Sequence, residues 1–205
     1  MKSYSQAKED IFLNRVFTEI GSTNEICVEF GGADGYRCSN TRLFVDNAWE
    51  GHYWDIDPKN PEVMKEHITA ENINGIFDKY EIPQEFDLLS IDIDSNDYWV
   101  WKAITRNPRV VIIEFNPSIA KHLEYAIKYD INFKFKQTNY FGASFAALES
   151  LGKRKGYKLA RCIGCNMIFI QKDIECSLCI PNSYKVANGW PMDQDPNNKW
   201  VDVSK

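Results

Sequence analysis

Apolar positions along the chain follow two rhythms. In one, short apolar runs stand between turn residues: Ile26-Cys27-Val28-Glu29-Phe30, His52-Tyr53-Trp54, Leu88 to Ile93, Val110 to Phe115 and Met167 to Ile170. Such runs predict buried strands. In the other, Ile11, Phe12, Val16, Phe17 and Ile20 recur at helical spacing, which predicts an amphipathic helix over Ser5 to Ile20, capped by Ser3 or Ser5. Arg42 to Val45 reads as a short helix after Ser39-Asn40-Thr41, and His67 to Asn74 as a short third strand running into a helix that ends near Tyr80. Asn96 to Ile104 and Ala143 to Lys155 complete the helices, the latter closed by Lys153-Arg154-Lys155 and Gly156. Tyr157 to Arg161 and Asn166 to Gln171 are the last two strands, joined by Cys162-Ile163-Gly164-Cys165. Tyr129 to Gly142 stays a long aromatic loop, placed where a substrate lid would sit. Strands alternating with helices in this way indicate an α/β sheet.

A chain of 205 residues is most simply one domain. The expected division is a domain over 1–180 and a loop-like extension over 181–205, where proline, asparagine and aspartate dominate and only Tyr184, Trp190 and Trp200 offer anchors. A formal charge of -5 argues against non-specific nucleic-acid binding. No apolar run is long enough to span a membrane, and Met1 to Asp10 lacks the apolar core of a signal peptide. The expectation is a soluble, cytoplasmic protein with neither a nucleic-acid nor a membrane partner. The oligomeric state is left open.

The chemistry concentrates at strand ends. The first strand runs into Gly31, Gly32, Ala33, Asp34 and Gly35, where glycine permits positive φ and brings bare backbone against a ligand. The spacing does not fit the dinucleotide fingerprint G-x-G-x-x-G, and Glu29 would repel a phosphate while suiting a cation. Asp55 ends the second strand about 20 residues beyond Gly35, where this architecture places a carboxylate for ribose hydroxyls; Asp57 is the runner-up. Asp92 and Asp94 follow the central run and, by strand alternation, share a side. Glu114 and Asn116 end the fifth strand. Cys162-x-x-Cys165 and Cys176-x-x-Cys179 have the look of a divided zinc site, but a straight strand between them would hold the pairs apart. His52 reads as structural.

Glu29-x-Gly31-x-x-x-Gly35 resembles the first motif of class I S-adenosylmethionine-dependent methyltransferases. The succession Ser5-Gln6, Glu29 to Gly35, Ser39-Asn40-Thr41, Asp55, Asp92-x-Asp94, Glu114-Phe115-Asn116, Ala143-Ser144, Gly156-Tyr157 and Asn166 resembles an FkbM-like domain over Ser5 to about Asp173. The resemblance implies a Rossmann-like, doubly wound, seven-stranded and mostly parallel sheet with an antiparallel C-terminal hairpin strand. It implies S-adenosyl-L-methionine as cofactor and O-methylation of a small-molecule or sugar hydroxyl. Cofactor contacts would come from Glu29, Gly31, Gly32, Ala33, Asp34, Gly35, Asn40, Asp55, Asn72 and Asp92. The free N–H groups of the helix after Ser39 would receive the cofactor's carboxylate, and Gln6 and Asp10 would reach the site. Asp92, Asp94 or Glu114 would act as base, with no metal assigned, although Asp92, Asp94 and Asn116 offer the hard oxygens Mg²⁺ prefers. An inactive cofactor-binding module and a nicotinamide-dependent oxidoreductase are the alternatives.

Overall fold

The computed structural model describes residues 2–180 and 191–205. Five strands, β1 (Ile26–Phe30), β2 (Glu50–Asp55), β3 (Val63–Lys65), β4 (Leu88–Ile91) and β5 (Val110–Glu114), lie parallel in one sheet. Beyond β6 (Tyr125–Ile127), the chain adds β7 (Tyr157–Ile163) and β8 (Asn166–Gln171) as a hairpin, with β8 antiparallel to both β5 and β7. The resulting seven-stranded sheet has the order β3-β2-β1-β4-β5-β8-β7. The order reverses beside β1, so the crevice expected for ligands lies at the carboxyl ends of β1 and β4. The third strand falls at Val63–Lys65, upstream of the expected segment at His67.

Helices cover both faces because strand residues alternate between them. Val28, Phe30, Leu89, Ile91, Val111, Ile113, Met167 and Phe169 face a cluster completed by α3 (Ile73–Lys79), α4 (Asp97–Ala103) and α5 (Phe145–Arg154). Cys27, Leu88, Val110, Ile112, Ile168 and Ile170 face α1 (Glu9–Ile20) and α2 (Arg42–Val45). Of the helical spacing read in the sequence, α1 buries Phe12, Val16 and Phe17 and adds Leu13, while Ile11 and Ile20 are half-buried; each buried side chain is worth roughly 1.5–3 kcal/mol when removed from water. On the other face Trp101 packs against Phe169 at 5.0 Å between ring centroids. Gly152 makes room for them, since a Cβ there would come within 2.7 Å of the Phe169 ring.

Two features escaped the sequence pattern. β6 pairs with β9 (Trp200–Asp202) in a small antiparallel sheet, and the Tyr140 and Trp200 rings meet edge to face. The end of the chain is therefore part of the fold at Trp200, whereas Tyr184 and Trp190 lie outside the described residues. The segment after β8 turns onto the α1 face through Ile174, Cys176, Leu178 and Cys179. Cys162 and Cys165 pack against the opposite face, so the two pairs do not converge on one ion. Among the described residues, no helix is long and apolar enough to cross a membrane.

Candidate active site

Strand register lines the acids up. Phe30 stands between Trp54 and Ile91, and Ile91 beside Ile113. One residue further along, Asp55, Gly31, Asp92 and Glu114 therefore sit side by side at the carboxyl rim, and Glu114 is paired across β8 with Asn166. Gly31 is required here. Its φ of 73° favours glycine, and a Cβ would overlap the Asp92 carbonyl oxygen. The glycine turn thus brings the two rim segments into backbone contact.

Asp92, Asp94 and Glu114 converge, with carboxylate oxygens within 4.8 Å of one another. Strand alternation is not the reason: β4 ends at Ile91, and Asp94 adopts a left-handed φ of 53° that turns it back toward Asp92. Burial raises the Asp92 pKa well above the carboxylate range, and the charges of Asp97, Asp94, Glu29 and Glu9 push it further. Glu114 is raised in the same way by burial and by Asp92, Asp94 and Asp97, with a hydrogen bond from Cys165 opposing the rise. Asp94, the most exposed of the three, is raised by the partial desolvation of its carboxyl. Asp97 opens α4 and accepts hydrogen bonds from the backbone N–H groups of Ile93 (2.8 Å) and Ser95 (2.9 Å). It fixes the turn that carries Asp94, and burial lifts its pKa to about 6. Three carboxyl groups so disposed can take a cation, either an onium ligand or a hard divalent ion, or hold a proton above the ordinary carboxylate range.

Several sequence expectations are corrected. Glu29 is buried with both oxygens occupied: it accepts from the Ser39 hydroxyl (2.6 Å), the Thr41 hydroxyl (2.5 Å) and the Asn40 backbone N–H (2.9 Å). Burial raises its pKa against the pull of those hydrogen bonds. Glu29 is thus an internal clamp for the loop before α2. In the same loop the N–H of Asn40 goes to Glu29, and those of Thr41 and Arg42 go to the Ser39 hydroxyl. Asn40 donates its side-chain amide to Ser90 on β4. Asn72 is tied to its own loop, accepting from Thr69 N–H and donating to the His67 carbonyl. Asp34 accepts from the N–H groups of Tyr36 and Arg37 and shapes the glycine turn. Ala33 donates its N–H to Asp55 at 2.9 Å, locking the turn to the end of β2. Asp57 is instead paired with Lys59 on the surface.

Asn116 does not join the acids. Its amide donates to the Asn139 and Phe141 carbonyls and accepts from Ser118, anchoring the loop that precedes α5. Asp10 binds Ser3, Tyr4 and Ser5 and folds the N-terminal segment onto α1. Gln6 is exposed. The neighbouring residue is the one that reaches inward. Glu9 is fully buried, accepts from the Ala7 N–H and from the Asn166 side chain at 3.0 Å, and adds to the field at Asp92. The Asn166 side-chain oxygen is left without a partner. The sequence signal for Glu9 was an acid on the apolar side of an amphipathic helix, one position before Asp10. His52 pairs with Glu50 on its own strand.

No protein-family model matches the chain, and no curated protein matches it. Among solved structures, it is similar to the N-terminal domain of EvdMO1 determined in the presence of SAH and D-fucose, at 11% identity and a TM-score of 0.45, over 81% of this chain and 83% of that one. The same domain with SAH bound gives 9% identity and a TM-score of 0.39, over 81% of this chain and 80% of that one. An S-adenosylmethionine-dependent methyltransferase from Clostridium acetobutylicum gives 10% identity and a TM-score of 0.41, over 80% of this chain and 92% of that one. These values are too low to carry a ligand or a reaction across.

Proposed function

We propose that the chain is an S-adenosyl-L-methionine-dependent methyltransferase of the FkbM-like type, acting on a hydroxyl of a small molecule or sugar. One observation carries the reading: three carboxyl groups, with further acids rather than cations dominating their field, converge at the carboxyl rim beside a glycine turn that closes on the next strand. That donor set fits a cationic nucleoside and disfavours a pyrophosphate. The motif succession from Ser5 to Asp173 and the parallel sheet ending in an antiparallel hairpin agree with it.

When bound, S-adenosyl-L-methionine supplies a methyl group on an electrophilic sulfonium. The chain's part is positioning and proton handling. Gly31, Gly32 and Gly35 bring backbone against the nucleoside, and Asp55, half-exposed with its two oxygens accepting from the Ala33 and Asp57 N–H groups, turns its remaining lone pairs to the ribose hydroxyls. Glu29, through Ser39, Asn40 and Thr41, is a positioning residue for the wall of the site. Asp92 contributes the negative field for the onium. Asp94 or Glu114, made stronger bases than a free carboxylate by desolvation, accept the proton of the acceptor hydroxyl.

Asp55 gives the direct test. Asp55→Ala weakens S-adenosylhomocysteine binding by about 1–3 kcal/mol through lost charged hydrogen bonds, measured calorimetrically against the wild type. An unchanged affinity removes Asp55 from the site, and no detectable binding by the wild type ends the proposal.

A further inference from the structure

Away from the acid rim, a cleft of about 750 Å³ opens between residues 128–140 and 193–199. That volume is in the range of small-molecule sites. Its walls are built structure. Lys128 N–H bonds the Lys199 carbonyl, and the Tyr140 hydroxyl donates to the same carbonyl at 2.7 Å. Trp200 donates its indole N–H to the Asp193 carbonyl, and the turn after Asp193 is closed by side-chain hydrogen bonds.

The charges lining this cleft are unequal in what they have left to bind. Asp193 accepts from the Asp195 N–H and the Asn198 amide, and Asp195 from Asn197. Asp130 accepts from the Asn132 N–H. Lys128, Lys134, Lys136 and Lys199 also line the cleft. Among the described residues, none of them takes part in the ion pairs that hold Lys59, Lys79 and Lys153. Set against Asp130, Asp193 and Asp195 in the same lining, the four lysines leave this concave surface with a net charge of +1, in a chain of net charge -5. The half-buried rings of Tyr129 and Phe133 lie among them.

We propose that this cleft binds a phosphorylated small molecule, with the lysines holding the phosphate as point charges and the aromatic rings covering an attached ring system. The wall of the cleft is tied to the acid rim: Asn96 bonds the Asp130 carbonyl and N–H, Ser95 accepts from Gly142, and Asn116 holds Asn139. If the methyltransferase reading holds, the acceptor is a phosphorylated metabolite. Only that role rests on the reading; the binding itself does not.

The test is calorimetric titration of the full chain with inorganic pyrophosphate and with UDP, alongside S-adenosylhomocysteine. The expected result is saturable binding of both phosphates, tighter for UDP, weakened about tenfold in Lys128→Gln/Lys199→Gln. Lys134→Gln/Lys136→Gln serves the same comparison if the first pair fails to fold. No binding at millimolar pyrophosphate and UDP, or equal affinity in a folded double variant, overturns the proposal. So does binding of a single-stranded oligonucleotide that exceeds UDP and grows with length. S-adenosylhomocysteine binding without phosphate binding sinks this inference alone, and the reverse sinks the methyltransferase reading alone.

Discussion

Neutralising Asp92 should stabilise the protein at high pH and weaken its cofactor binding, an opposition that a merely structural carboxylate would not produce. With carboxylate oxygens within 4.8 Å, two full charges repel by about 3.5 kcal/mol at an effective dielectric near 20. The cluster relieves this by holding protons that the unfolded chain would release, which is the meaning of the raised pKa values at Asp92, Asp94 and Glu114. The folded state then binds more protons than the unfolded state above the ordinary carboxylate range. Stability is present at about pH 4 and falls as pH rises through the raised values. Asp92→Asn removes one charge at nearly constant volume. It should gain about 2–3 kcal/mol at pH 8, within the pairwise repulsion, and little at pH 4. Urea unfolding of both proteins at the two pH values measures the difference, and titration with S-adenosyl-L-methionine measures the binding lost. Equal stability changes at pH 4 and pH 8, or a loss of stability at pH 8, would refute the repulsive cluster.

Two further substitutions probe the frame around it. Gly31→Ala places a Cβ on the Asp92 carbonyl oxygen at a left-handed φ. It should cost about 4 kcal/mol or more, seen as a collapsed denaturant midpoint; a near-normal midpoint would mean that the turn and β4 separate easily. Glu29→Ala leaves Ser39, Thr41 and the Asn40 N–H without their acceptor. A loss of roughly 3 kcal/mol by chemical denaturation is expected, with Glu29→Gln losing less. No loss in Glu29→Ala would show that the loop does not depend on the clamp.

Most of the sheet was legible because β1, β4, β5 and β8 carry mostly apolar runs, α1 because of its helical spacing and α5 because of its basic, glycine-closed end, whereas β3 lies earlier than its expected segment. β6 and β9 were not legible, since three-residue edge strands such as Tyr125–Ile127 and Trp200–Asp202 leave no period to read. The rim acids were legible for the same reason the strands were: Asp55, Asp92 and Glu114 each end an apolar run. What sequence spacing could not say is which polar side chains satisfy one another. Glu29 looks ligand-facing in a linear motif, yet its oxygens take the Ser39 and Thr41 hydroxyls and the Asn40 N–H, and Asn72 bonds its own loop. Glu9 was not singled out in the sequence, because the hairpin that brings Asn166 to it lies 157 residues away in the chain. Asp94 was grouped correctly with Asp92 for a wrong reason, as a left-handed turn does what strand alternation was expected to do.

The central claim is that an acidic rim selects a cationic nucleoside over a phosphorylated dinucleotide. Parallel calorimetric titrations of the wild type with S-adenosyl-L-methionine and with NAD test it most directly. The account predicts saturable binding of S-adenosyl-L-methionine with NAD weaker by about 100-fold or more, a difference near 2.7 kcal/mol. Equal or tighter binding of NAD would contradict it.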